Sequence, residues 1–371
     1  MVLSFFGAGA SSPFGIPTMQ SMVPKFEEAL KSNGSEDERS LYKDICEFLA
    51  VTLERPTDLE AVFTVVDSII DWSPDRMGVS AMYHATRAAT LSKGQSPSAG
   101  SPPLRIEKPD ANTVSTASSL RKRFETFVER SCQIPDGQSP QIDRVYDALF
   151  RAYSAIPGPG FGGRKRSYQS VGAMFTTNYD AVLEHFWVDV AEVGLETGFA
   201  YDSVARMNVS QPERLRQPQG FRLFKLHGSI TWLDDPRYGL TEHQEPPQEM
   251  RTYTGRKFRG QVMLYPIEEK TLYTEPYLTM YQLLNRELAQ DPNWVVVGYS
   301  FGDRVIRDIF LRNSTDNSHL ILIHPRADEI AKRLIGCRAM VSVMKQKFGE
   351  GDLSLFTQQL SAQLRQRPTP R

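Results

Sequence analysis

Five short clusters in this chain combine the residue types that handle a phosphate, a ribose hydroxyl or a proton. The first is Gly7-Ala8-Gly9 with Ser11, directly after the apolar run Val2–Phe6. A glycine turn at a strand end can present bare backbone N–H groups to a pyrophosphate, since no Cβ blocks the approach. The second is Thr176-Thr177-Asn178-Tyr179-Asp180, which places a side-chain amide, both donor and acceptor, next to a carboxylate. The third, His227-Gly228-Ser229, offers an imidazole, the side-chain type suited to taking a proton near neutral pH. The fourth is Gly298-Tyr299-Ser300-Phe301-Gly302-Asp303 and the fifth His324-Pro325-Arg326. Each has a plainer reading on its own. Asn178, Asp180 and Asp303 are good helix caps, His227 would serve as a hydrogen-bonded core histidine, and Gly298 as an ordinary strand-to-helix turn.

Hydride transfer is disfavoured by the first cluster. A dehydrogenase fingerprint wants a third glycine where this chain has Ser12, and an acidic residue closing the next strand about 20 positions on. Glu27 and Glu28 instead fall inside an apparent helix. The turn also runs on through Ser11-Ser12-Pro13-Phe14 to Gly15-Ile16-Pro17, a longer loop than that fold uses.

The elements that must position these residues follow from apolar periodicity. Val2–Phe6, Val171–Phe175, Phe221–Leu226, Val262–Leu264, Trp294–Val297, Leu320–Ile323 and Met340–Val343 read as short buried strands. Helical stretches lie between most of them, at Thr18–Leu30, Ala181–Val193, Pro276–Ala289, Asp303–Arg312 and Asp328–Leu334. Such alternation predicts an α/β fold: a mostly parallel, Rossmann-like sheet with helices on both faces. In that architecture ligands bind at the carboxyl ends of strands, which is where every cluster lies. Residues 31–156 read as a helical insertion after the first strand–helix unit. Capping boxes at Ser35–Glu38 and Thr57–Glu60 open helices there, and further helices are expected at Leu120–Arg130 and Ile142–Tyr153. A Ser/Pro/Gly-rich stretch over 92–118 is expected as a mobile loop, and Pro157–Ser167 as a solvated linker. The predicted division is therefore 1–30 with 157–350 as a nucleotide-binding core, 31–156 as the insertion, and 351–371 as a C-terminal helix or tail.

Composition sets the outer bounds. Forty-three basic against 44 acidic residues leave a net charge of −1, so no charge asymmetry points to nucleic acid or anionic lipid. Cys46, Cys132 and Cys337 stand far apart and form neither a disulfide framework nor a C-x-x-C zinc site. Residues 2–10 mimic a signal peptide ending in A-x-A, but no Lys or Arg precedes a run this short. No apolar span is long enough to cross a membrane. The expectation is a soluble cytoplasmic protein.

Taken in order, G-A-G-A-S with G-I-P downstream, T-T-N-Y-D, L-H-G-S and G-Y-S-F resemble the catalytic core of the sirtuin (silent information regulator) family. The resemblance covers the first thirty residues and roughly 171–345. It implies a Rossmann-like domain using NAD⁺. By that resemblance Gly7, Ala8, Gly9 and Ser11 line the pyrophosphate and ribose, and Thr177 and Asn178 lie beside the nicotinamide ribose. Asp180 matches the aspartate of the same motif, His227 matches the catalytic histidine, and Gly298, Ser300 and Phe301 sit beneath the adenosine half. The departures carry equal weight. The two C-x-x-C pairs of the deacylase zinc module are missing, and Thr18-Met19-Gln20 replaces an arginine after G-I-P. With its large insertion, the chain is similar instead to sirtuin-like effectors of bacterial antiphage defence, which hydrolyse NAD⁺ and deplete the infected cell.

That resemblance implies an NAD⁺ glycohydrolase giving nicotinamide and ADP-ribose, without a metal, working as a homo-oligomer. A separate partner such as a HerA-type ATPase or a short Argonaute is expected, with no direct contact to nucleic acid or membrane. The residue chemistry is compatible: Asn178 can orient a ribose hydroxyl or a water, and His227 can act as general base. Asp180 either stabilises developing positive charge or only fixes its loop. Alternatives are an NAD or ADP-ribose sensor without turnover, and a protein deacylase or ADP-ribosyltransferase.

Overall fold

The computed structural model describes residues 1–52, 59–70, 108–157, 168–191, 194–217, 220–235, 237–243, 261–263 and 275–366. The chain separates into two compact units. One comprises Met1–Thr18, Cys132–Leu264 and Glu268–Arg371; the other is built mainly from Met19–Ser131.

In chain order the first unit begins with β1 (Val2–Phe6), five buried residues of aromatic and branched type that suit a strand covered on both faces. The second unit follows with α1 (Met19–Asn33), α2 (Glu36–Thr52), α3 (Leu59–Ile70) and α4 (Ala111–Cys132). The expected capping box opens α2 reciprocally: Ser35 N–H donates to Glu38 Oε2 at 2.8 Å and Glu38 N–H to Ser35 Oγ at 3.1 Å. The unit closes on aromatic packing, with Phe63 and Phe124 stacked at 3.7 Å and Phe26 edge-on to both. Residues 57 and 58 of the second capping box, and 92–107 of the anticipated loop, lie outside the described residues. The rest of that loop differs from expectation. Asp110 Oδ1 accepts Thr113 N–H at 2.7 Å and starts α4 at Ala111, so the Ser-rich run after it is helical.

The first unit resumes with α5 (Ser139–Ala152) and the strands β2 (Val171–Thr176), β3 (Leu195–Glu196), β4 (Phe199–Asp202), β5 (Met207–Ser210), β6 (Phe221–Lys225), β7 (Gly228–Asp235), β8 (Gly239–Glu242), β9 (Gln261–Met263), β10 (Asn293–Val297), β11 (His319–Ile323) and β12 (Met340–Met344). Its helices after α5 are α6 (Val182–His185), α7 (Tyr277–Gln290), α8 (Arg304–Asn313), α9 (Ala327–Ala331) and α10 (Leu353–Leu364). Seven strands form a wholly parallel sheet in the order β12-β11-β10-β1-β2-β6-β3. Alternate side chains of β1 feed two separate cores: Val2 and Phe6 pack with α5, α10 and Trp187, while Leu3 and Phe5 pack with α7 and α8. The expected α/β architecture, helices on both faces included, is what the molecule adopts. Phe356, Leu360 and Leu364 of α10 lie in the first of these cores, and Asp352 caps that helix.

Two placements depart from the sequence reading. The helix at 139–152, assigned to the insertion, packs in the sheet unit through Val145, Tyr146 and Leu149. Of the stretch expected as a strand at 262–264, residue 264 lies outside the described residues and residues 262 and 263 belong to no parallel strand. Residues 261–263 pair with β7 in a second, antiparallel sheet of order β4-β5-β8-β7-β9. The linker residues 158–167 lie outside the described residues.

β1 is the point where the strand order reverses. β2 and β6 lie on one side of it, and β10, β11 and β12 on the other. The crevice outside the carboxyl ends of β1 and β10 is thus the topological switch point, where a ligand is expected in an open parallel sheet.

Candidate functional site

Two glycine turns meet at that switch point. Gly7 N–H donates to Val297 O at 2.9 Å and Gly9 N–H to Gly298 O at 3.0 Å, locking the exit of β1 onto the exit of β10. Ala8–Ala10 form a single 3₁₀ turn, and Gly298 takes the left-handed φ of +63°. A Cβ on Gly9 would stand 2.8 Å from Gly298 Cα, and one on Gly298 would stand 2.3 Å from Ala10 N. The sequence suggested that these glycines clear space for a ligand. What they clear first is space for each other, so the turns stack backbone on backbone and Ala8 and Gly9 are left half-buried at the edge.

The exit of β2 is tied to the same place. Thr177 N–H donates to Phe6 O at 3.1 Å, and Thr176 Oγ1 accepts Asn178 N–H at 3.0 Å. The Asn178 amide then donates from Nδ2 to Gly7 O at 3.1 Å and to Ser11 Oγ at 2.9 Å. Gly7 O can only accept, so Nδ2 is the atom that faces it and both amide hydrogens are committed. Asn178 Oδ1 is buried and has no partner among the described protein groups. Ser11, 1% exposed, bonds in turn to Asp180. Asp180 Oδ1 also accepts Val182 N–H at 3.1 Å, which fixes the entry to the short helix α6, whose N-cap is Ala181. Burial pushes the Asp180 carboxyl up, against the opposing pull of Lys225 and of its hydrogen bonds. Lys225, itself buried, donates to the Asp180 carbonyl and to Glu184 Oε1 at 2.7 Å.

The exit of β6 delivers His227. Leu226 N–H donates to Thr176 O at 2.8 Å, and Gly228 turns the chain into β7 with φ +85°. The imidazole is nearly buried, and its Nε2 lies 3.4 Å from Asp303 Oδ2, the two side chains being only 6% and 7% exposed. Asp303 is the N-cap of α8, as its alternative reading proposed: Oδ1 accepts from Val305 N at 2.8 Å and Ile306 N at 3.2 Å. That its other oxygen faces His227 is a contact the sequence did not announce, because the two residues come from different strand exits.

On the β10 side, Phe301 is a non-glycine residue at φ +53°, held there by burial against Tyr299 and Phe310. Ser300 is half-buried and its carbonyl accepts from Arg333. His324 turns Nδ1 to the Arg326 N–H at 2.9 Å. Among the described residues no three His, Cys, Asp or Glu side chains are grouped to hold a metal ion, and Cys46, Cys132 and Cys337 are free thiols. Gly7, Ser11, Asn178 and Asp180 therefore form one hydrogen-bonded network, Gly7 and Gly9 pack on Gly298, and His227 joins Asp303, all at one edge of one sheet.

Comparison with known proteins matches residues 172–337 to the family described as SIR2-like domain. No curated protein matches the chain. Solved structures similar to it include a Sir2 homologue triple mutant with 2′-O-acetyl ADP-ribose, at 11% identity and TM-score 0.44 over 98% of this chain and 93% of that one. A Sir2 homologue mutant with ADP-ribose gives 12% and 0.43 over 98% and 92%. A Sir2 homologue–NAD complex gives 13% and 0.39 over 98% and 89%.

Proposed function

Starting from a chain that carries a SIR2-like domain over residues 172–337, we propose that its parallel-sheet unit binds NAD⁺ and hydrolyses the bond between nicotinamide and ribose. The observation that carries this reading is the Asn178 amide. Its two hydrogens are held by Gly7 O and Ser11 Oγ, and a buried acceptor, Oδ1, is left over. Buried polar atoms are nearly always satisfied, so an oxygen fixed in this way at a switch point marks where a donor from outside the chain belongs. A ribose hydroxyl or the attacking water is such a donor. Asn178 thus acts as an acceptor only.

The chemistry demands little more. Nicotinamide is a good leaving group, and its departure develops positive charge at C1′ of an oxocarbenium-like state. Water adds its lone pair to C1′ as the C1′–N bond breaks, and that bonding pair neutralises the pyridinium ring. The water proton passes to the His227 imidazole and then to solvent, leaving nicotinamide and ADP-ribose. Gly7, Ala8, Gly9, Ser11 and Thr177 shape the ribose and pyrophosphate side of this site, and Gly298, Ser300 and Phe301 the adenosine side. Asp180 holds Ser11, and through it the Asn178 amide. No C-x-x-C pair exists in the sequence to build the zinc module on which peptide deacylation depends.

In the cell this reading makes the protein an NAD⁺-depleting effector of antiphage defence. It would act in the cytoplasm as an oligomer, with the helical unit available to a separate partner such as a HerA-type ATPase or a short Argonaute. The motif set and the absent zinc module support this.

The test is purified protein with NAD⁺, with nicotinamide and ADP-ribose separated by chromatography. Asn178→Ala should lower turnover about 10²–10³-fold, the usual effect of removing one polar group that acts in the transition state. A folded Asn178→Ala protein consuming NAD⁺ at the parental rate would refute the assignment. Saturable binding with no turnover would favour a nucleotide sensor.

A further inference from the structure

We infer that Asp303 is the positioning residue for His227, holding its imidazole in the tautomer protonated on Nε2 and leaving Nδ1 as the base; this rests on the hydrolase reading of the site. Asp303 makes two kinds of contact with its two oxygens. Oδ1 accepts from Val305 N and Ile306 N and caps α8. Oδ2 lies 3.4 Å from His227 Nε2, at ion-pair distance but outside hydrogen-bond geometry, and Nε2 has no other partner among the described protein groups. A cap needs only the first oxygen. Asn and Ser cap as well as Asp does, so capping alone does not explain a carboxylate here. The second oxygen does. It is acceptor-only, it is shielded from water with the imidazole, and it is the single charged group the described residues place within ion-pair distance of that ring. An acceptor facing Nε2 selects the Nε2–H tautomer, which puts the lone pair on Nδ1. When Nδ1 takes a proton from water, the imidazolium that forms lies against a carboxylate already in place. Lys225 is engaged by the Asp180 carbonyl and Glu184 Oε1, and none of Lys225, Asp180 and Glu184 lies within ion-pair distance of the ring.

The cap makes the test unusually sharp. In Asp303→Asn the two α8 N–H groups will hold the amide oxygen, since an NH₂ group cannot accept from them. The amide NH₂ is then forced toward Nε2, where it donates and selects the opposite, Nδ1–H tautomer. Asp303→Ser keeps the cap but presents nothing charged to His227, and the ring chooses freely. A purely structural Asp303 predicts that both variants match the parent. The positioning role predicts the order Asp, then Ser, then Asn in NAD⁺ turnover. The Asn variant should fall at least about 10²-fold, within the loss of up to about 10⁴ known for wrong-tautomer imidazoles, with little change in KM.

The tautomer is read directly from long-range ¹H–¹⁵N correlation spectra of protein labelled at its six histidines, at alkaline pH, with His227→Gln to assign the signal. Nε2–H in the parent and Nδ1–H in Asp303→Asn, with melting temperatures preserved, would establish the role. The same tautomer in both proteins, or equal turnover by the Asn and Ser variants and the parent, would overturn it. If the parent consumes no NAD⁺, the hydrolase reading falls and the tautomer spectra alone decide for or against Asp303.

Discussion

Gly298→Ala tests the idea that the two glycine turns exist to stack on each other. The backbone at Gly298 has φ +63°, which costs an L-residue about 1–2 kcal/mol. The added methyl would stand 2.3 Å from Ala10 N, 2.4 Å from Gly9 C and 2.6 Å from Gly9 Cα, all main-chain atoms that no rotamer change can move aside. The turns must separate, at an overpacking cost of about 1–3 kcal/mol. The Gly9 N–H to Gly298 O bond, 3.0 Å, is lost with them, for about another 1 kcal/mol. The total is about 4 kcal/mol, or a melting-temperature drop of roughly 10 °C for a unit of this size. Gly302→Ala is the control from the same loop. Its Cβ would meet only Ser300 Oγ, at an ordinary 3.5 Å, and the residue is exposed, so it should melt within about 2 °C of the parent. Calorimetry gives the melting temperatures, and NAD⁺ turnover of the surviving fold shows whether the displaced turn still works. If Gly298→Ala melts with the parent, or Gly302→Ala melts as low as Gly298→Ala, the stacking argument is wrong.

Two other substitutions probe the packing around the sheet. Arg222 holds Glu287 through two bonds of 3.0 and 2.9 Å with both side chains 5% exposed, so Glu287→Ala should cost about 3–5 kcal/mol in urea unfolding. The paired change Arg222→Met with Glu287→Leu should recover most of it, and a double variant as unstable as the single one would contradict this. Burial raises the Glu242 carboxyl to about 7, although Thr197 Oγ1 at 3.0 Å and Trp232 Nε1 at 3.3 Å donate to it. The folded protein then keeps a proton that the unfolded chain releases near 4.5, so this group's stabilisation is complete below 4.5 and is lost as pH rises through 7. Glu242→Gln should remove roughly 2 kcal/mol of that decline, allowing for partial exposure, when urea midpoints at pH 5 and pH 8 are compared. An identical pH dependence in the two proteins would count against the raised value.

The parallel sheet was readable in the sequence because its central strands are apolar runs buried on both faces, as in Val2–Phe6 and His319–Ile323. The antiparallel sheet was not. Tyr201 is well exposed, β5 is half-exposed throughout, and β8 opens on Gly239, so none shows a clean alternation. The start of α4 was hidden by Ser and Thr, residues that favour turns until a cap such as Asp110 commits them. Site residues stood out for a related reason: polar groups directly after buried strands have few structural uses. Their partnerships did not stand out. Gly9 against Gly298 and His227 against Asp303 join segments distant in sequence, and no local pattern records such pairings.

The position of β1 has a consequence for how the protein is made. Val2 pairs with Val171 on one side and with Asn293 on the other, so the central strand is made long before either neighbour. At about 5–20 residues per second, Gly7–Ser11 wait roughly 15–60 seconds before Gly298 exists to stack against them. The helices of Met19–Ser131 find partners such as Phe26, Phe63 and Phe124 within that span, so they can form in that interval. Until β10 is translated, an aromatic strand, Val-Leu-Ser-Phe-Phe, has an open edge that needs shelter from other chains. The same delay is protective for the cell. A site proposed to destroy NAD⁺ cannot assemble on a ribosome-bound fragment that stops short of β10, so incomplete chains carry none of the activity of the finished one.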